Sequence, residues 1–161
     1  VPSYPMKTAK GDKAEILLYT CLLTSMLDAI AAVIMGYKLP ATTIFRYIAS
    51  GWFGQSAFTG SALMVWWGVL FHFLIAVVWT CVLFFLYPVF RRLLKNQYTI
   101  ALIYGILIWV IMNFGILPYT HVAIGPGHFS APTVLEGIFA LIICVGLPVA
   151  LIAEWYYNPK A

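Results

Sequence analysis

The chain reads as an all-α polytopic membrane protein, four transmembrane helices with a short outer interfacial helix, and three observations predict that class. Four apolar runs, 15–36, 62–89, 99–117 and 134–156, each hold about 20 residues or more. At about 1.5 Å rise per residue, each crosses the roughly 30 Å hydrocarbon core of a bilayer. Hydrophobic residues make up 63% of the 161 and charged ones 9%, with mean hydropathy +0.96, too few charges to keep so much apolar side chain in water. The runs are continuous rather than alternating, which argues against a spanning β-barrel. Residues 1–161 therefore read as a single four-span membrane domain.

The first run follows Lys7, Lys10 and Lys13, as an export signal would. It is longer than a signal core, contains Asp28 and leads into Gly36, Tyr37 and Lys38 instead of a small-residue cleavage site, so a retained helix is expected. Beyond it, Ile44, Tyr47, Ile48 and Trp52 form one helical stripe, with Arg46, Ser50 and Gln55 directed elsewhere. This pattern predicts an interfacial helix over about 43–56, capped by Thr43 and loosening at Gly51, Gly54 and Gly60.

The second run places His72 about ten residues from its outward start, and Asp28 stands eight or nine from the outward end of the first. Both depths correspond to roughly 12–15 Å, so the two side chains are expected to meet near mid-membrane. The third run ends MNFGILP, where Pro118 is expected to stop the helix and Asn113 to face protein. A Gly- and Pro-rich loop with His121 and His128 leads to the fourth run, which opens with Glu136. Asp28, His72, Asn113 and Glu136 are thus the candidate buried polar cluster. In a transporter, Asp28 would change charge, His72 pair with it, Asn113 relay hydrogen bonds and Glu136 serve the outer access. In the plainer reading, the same residues knit the helices together, and that structural role is the expectation.

The nine Lys and Arg residues predict orientation. Lys7, Lys10, Lys13, Arg91, Arg92, Lys95 and Lys160 flank one side of a four-span chain, and Lys38 and Arg46 the other. Seven against two puts both termini in the cytoplasm, with bacterial inner membrane as the expected location. Arg91, Arg92, Lys95 and Glu154 are expected to contact lipid headgroups or a partner there, beside the aromatic belt of Trp155, Tyr156 and Tyr157. The net charge of +4 is accounted for by these flanks, and no nucleic-acid partner is expected.

Other chemistry is weakly represented. Cys21, Cys81 and Cys144 lie in apolar runs without a CxxC pair, as small hydrophobes do. No HxxxH or HExxH pairs the histidines, and Ser25, Ser50 and Ser61 lack a GxSxG context, so no metal site and no catalytic residue is expected. No cofactor is predicted beyond lipid; quinone or haem in a groove between subunits is conceivable and unsupported. Ala29, Ala32 and Gly36, then Gly105 and the 137–146 portion, offer small surfaces for close helix packing. Trp66, Trp67, Trp79 and Trp109 read as packing or lipid-facing side chains.

The segments LDAIAA, RYIASGWFG, FHFLIAVVW, YGILIWVIMNFGILP and GLPVALIAE, in that order, resemble a family of small four-helix integral membrane proteins of bacteria. The resemblance runs from Leu27 to Glu154 and rests on Asp28, Ala49, Ser50, Gly51, Gly54, His72, Tyr104, Gly105, Met112, Asn113, Pro118, Gly146 and Pro148. It implies the four-helix fold and brings no activity or ligand. Glu136 stands where a histidine-bearing pattern is familiar, which weakens a two-histidine metal site. The function expected from these features is an accessory or assembly subunit of a larger bacterial inner-membrane complex, packing against other integral membrane subunits. The alternative is a small proton- or ion-coupled transporter using Asp28 and His72.

Overall fold

The computed structural model describes residues 12–122 and 129–158. Among them the chain is helical without strands, and four helical segments are long and apolar enough to cross a membrane: Lys13–Met35, Leu63–Leu94, Gln97–Tyr119 and Ala131–Tyr157. His128, expected in the last loop, lies outside the described residues.

Helix α1, Lys13–Met35, starts where the Asp12 carboxylate accepts the Ala14 N–H at 3.3 Å and satisfies one of the free donors of the first turn. Helix α2, Ala41–Phe53, begins two residues earlier than the expected 43–56 element. Pro40 sets that start: its ring fixes a helix-compatible φ, and its carbonyl accepts the Thr43 N–H at 2.8 Å, so Thr43 is inside the first turn and is not the cap. Gly54, at φ +58°, ends the helix in a conformation that glycine adopts without strain. A single turn, α3 (Ser56–Thr59), follows. Arg46 reaches over it to donate to the carbonyls of Ala57 at 2.6 Å, Gly60 at 3.0 Å and Ser61 at 3.2 Å. One guanidinium thus satisfies several carbonyls that the short turn leaves unpaired.

Helix α4, Leu63–Leu94, runs past the expected end at 89 and through Pro88. Its last turns project the basic pair Arg91 and Arg92 beyond the apolar stretch, and Lys95 (φ 55°) closes it. Asn96 then caps α5, Gln97–Val110, by accepting from Tyr98 N at 2.8 Å. The third span does not stay α-helical. It passes into a π-helical turn, Ile111–Ile116, and a 3₁₀ turn, Leu117–Tyr119. The fourth repeats the device: α6 (Ala131–Leu141), a π turn (Ile142–Gly146) and α7 (Leu147–Tyr157). Each π turn directly precedes a proline, Pro118 or Pro148. A proline ring lacks the N–H and crowds the carbonyl four residues back, and a widened turn relieves both problems without breaking the rod.

The compact core sits towards the termini and the α4–α5 turn. Leu83, Phe84 and Tyr87 of α4, Ile100, Ala101, Tyr104 and Ile108 of α5, and Val149, Ala150 and Ala153 of α7 are all buried there. Two glycines bring α5 and the second π turn together. A Cβ on Gly146 would stand 2.6 Å from the Ala101 carbonyl, and one on Gly105 would stand 2.9 Å from Ile142 Cα, so neither position accepts a side chain. Helices α1 and α4 meet along a polar seam, with Thr24 and Thr80 hydroxyls at 2.7 Å and the Cys21 and Cys81 sulfurs at 3.9 Å.

Helix α2 lies across α4 rather than beside it. Phe45, near its start, contacts His72 ring to ring at 6.3 Å, and its backbone occupies the space a Cβ on Gly68 would need; Phe53, at its end, meets Trp67 and Phe71 at 5.8 and 6.1 Å. Both ends of α2 therefore touch the same two turns of α4, at the level of His72.

Candidate functional site

Beneath α2 the four spans separate around a cavity of about 250 Å³. Asp28 comes to it from α1, and His72, Ala76 and Trp79 from successive turns of α4, whose period of about 3.6 stacks positions four apart on one face. Tyr47, Ile48 and Gly51 of α2 cover it. Both π turns contribute walls, Met112 and Ile116 from the first and Val145 from the second. Thr120 and Val122 close the rim, and their segment is held down by the His121 N–H donating to the Gly51 carbonyl at 3.1 Å. A Cβ on Gly51 would stand 3.5 Å from Val122, an ordinary contact.

Asp28 Oδ2 and His72 Nε2 stand 3.5 Å apart, with side chains 21% and 11% exposed. The depth matching in the sequence predicts this meeting, and the two helices supply it. The pair is incompletely satisfied. His72 Nε2 lacks a well-formed hydrogen bond, as does the fully buried Ser25 hydroxyl one turn below Asp28. Buried polar atoms without partners are uncommon in folded proteins, and these two flank Asp28, one from its own helix and one from α4. Tyr47, on α2, adds a phenol that burial holds above its usual titration range, so it remains a hydrogen-bond donor at neutral pH.

The other two members of the expected cluster lie elsewhere. Asn113 donates to the Trp109 carbonyl at 2.9 Å, within its own helix, and is not among the cavity residues. Helix geometry accounts for this: Asn113 stands five residues past the cavity residue Ile108, about 140° round a helix, whereas Met112, four past it, stays on the cavity face. Glu136 is exposed, beside Leu135 and Phe139, which are each 66% exposed. Five residues separate it from the cavity residue Leu141, about 140° round a helix. The cluster of four is thus a pair.

A second carboxylate, at the opposite end of the bundle, is arranged differently. Glu154 is expected at the headgroups, but it is 6% exposed. Tyr87 donates to it at 2.7 Å, Arg91 Nε at 2.9 Å with a second guanidinium nitrogen at 3.2 Å, and Asn158 at 3.1 Å. Arg91 also donates to the Lys95 carbonyl, so it ties the end of α4 to α7 and does not reach for lipid. Arg92 and Lys95 are exposed. Lys13 stands over the Phe85 ring at 4.8 Å.

Tyr47, Trp79, Met112 and Thr120 line the cavity, and the sequence reading places none of them in the site. Pro118 and Pro148 are a partial signal: each stands just beyond a π turn, whereas Pro88 lies inside α4 without one. Among the described residues, no group of three His, Cys, Asp or Glu side chains is placed to hold a metal ion. No protein-family model, curated protein or solved structure matches this chain.

Proposed function

We propose that the protein is a small proton-coupled membrane transporter in which Asp28 and His72 bind and release the coupled proton at the cavity. One observation carries this reading: a carboxylate and an imidazole, 3.5 Å apart and mostly shielded, open onto space instead of being closed off by further partners. Ionisable groups inside a membrane are costly, and where they face a cavity they mark solute or proton paths. The pair is neutral overall with one proton and singly negative without it, so its charge follows the state of the cavity. The two π turns support the same reading, because widened turns recur at functional sites and sit where a helix bends most readily. The seven-to-two distribution of basic residues supports both termini in the cytoplasm of a bacterial inner membrane.

The test is solute-driven proton movement. Proteoliposomes holding a pH gradient should lose it faster than empty vesicles when a small-molecule extract of the cells that make the protein is added. Asp28→Asn at equal reconstituted amount should return the rate to the empty-vesicle level. Equal rates for both proteins and for empty vesicles sink the proposal.

A second reading, an accessory subunit packed into a larger membrane complex, is favoured by Glu136. Its exposed carboxylate stands in a shallow apolar groove with Leu135, Ile138, Phe139 and Ile142, where a neighbouring subunit's donor would match it. Mass spectrometry of the intact assembly in mild detergent separates the readings: stoichiometric different subunits support the accessory role, and one polypeptide alone supports the transporter.

A further inference from the structure

The chemistry of the cavity restricts what it can take. Among the described residues no Lys or Arg lines it, and Asp28 is the one lining residue that carries a full charge when His72 is neutral. An anion would meet that carboxylate in an apolar enclosure, whereas a cation would find it as a counter-ion. Trp79 and Tyr47 add aromatic faces, the surfaces on which ammonium groups settle. The rest of the lining is aliphatic. At the packing density of protein interiors, roughly 0.75, a cavity of about 250 Å³ holds a body on the order of ten non-hydrogen atoms. This is the small end for ligand pockets, which run roughly 300–1,000 Å³.

Resting on the proton-coupled reading above, we infer that the cavity binds a small protonated amine with an apolar body in exchange for one proton. Before binding, Asp28 and His72 share one proton and are neutral together. The ammonium donates its N–H bonds to the Asp28 carboxylate, and the proton leaves the pair for water. The occupied site is again neutral, so neither state places net charge in the membrane. His72 takes part because its buried Nε2, 3.5 Å from the Asp28 carboxylate and without a well-formed hydrogen bond, can accept or give up that proton. Among the described residues, the other titratable groups around the pair are Tyr47 from α2, Cys144 of the second π turn, which interacts electrostatically with Asp28, and His121 at the rim, resting on Gly54. Arg46 is turned away, engaged by the carbonyls beyond α2.

Three probes of similar size decide the matter on the full-length protein in detergent: 2-phenylethylammonium, the neutral 2-phenylethanol and the anionic phenylacetate. The ammonium is expected to bind about tenfold or more tighter than the alcohol, the worth of a charge-assisted hydrogen bond, with phenylacetate weakest. In weak buffer with a pH dye, each ammonium bound should release about one proton. Its affinity should rise about tenfold per pH unit until the pair has lost its proton. Asp28→Asn should bring the ammonium down to the level of the alcohol while alcohol binding persists, showing the cavity intact.

Equal binding of ammonium and alcohol, or tightest binding of phenylacetate, overturns the inference. Ammonium binding without proton release overturns the exchange. If Asp28→Asn does not fold, the three probes and the proton count on the unaltered protein still decide. Should the ammonium fail while the cell extract still drives proton movement through Asp28, the choice of substrate falls and the proton-coupled reading stands.

Discussion

The two ends of this bundle each bury a carboxylate, and they treat it in opposite ways. Glu154 is surrounded by Tyr87, Arg91 and Asn158, all within 3.2 Å, next to a core closed by glycine and alanine contacts. Asp28 has one partner at 3.5 Å and a cavity beside it. A satisfied buried charge holds one arrangement and resists change, because any movement strands it. An under-satisfied one gains from a new partner. The first arrangement is that of a clasp, the second that of a site.

Substitutions at the closed end should therefore cost stability, and those at the open end should cost function. The largest effect is expected from Gly105→Leu, whose side chain would enter the space of the Ile142 backbone. Overpacking of that kind costs about 3 kcal/mol, read as a fall in the denaturant midpoint of unfolding in detergent. Next comes Arg91→Leu, which leaves Glu154 shielded with neutral partners only. A loss of about 2 kcal/mol is expected, discounted for the partly exposed guanidinium; the measurement is the same, and a loss no larger than that of Arg92→Leu would count against the clasp.

At the open end, Asp28→Asn should change stability by less than about 1 kcal/mol while removing proton-coupled movement. If it instead unfolds the protein as Gly105→Leu does, the contrast between the ends collapses. A double-mutant cycle sharpens the same point: replacing Asp28 and His72 together should cost less than the sum of the singles, and strict additivity would show that the two do not interact. The smallest effect belongs to the seam between α1 and α4. Thr24→Val or Thr80→Val removes one hydroxyl contact of 2.7 Å, worth about 0.6 kcal/mol between membrane helices. Thermal unfolding should show each single change costing about as much as both together.

Much of this was legible in the chain itself. Length and apolarity placed the four spans within a few residues, and counting residues from their ends matched the depths of Asp28 and His72. The same counting misled at Asn113 and Glu136, because depth along a helix says nothing of facing: each stands five residues from a cavity residue, Ile108 or Leu141, and so about 140° away from it. Glu154 misled for a different reason. Its place at the end of an apolar run suggested headgroups, but α4 continues past Pro88 and brings Arg91 to meet it.

Sequence by itself determined what is local or one-dimensional: the solvent each segment requires and the depth of a residue along its helix. Tertiary structure alone decided which way each side chain faces and what meets it. Facing depends on the accumulated rotation of every turn before it, and a cavity exists only where several helices fail to touch. Met112 faces the cavity while Asn113, next to it, bonds its own backbone, and α2 lying across α4 closes the space around Asp28 and His72. Those are relations between helices, set by how their surfaces pack, and no single helix contains them.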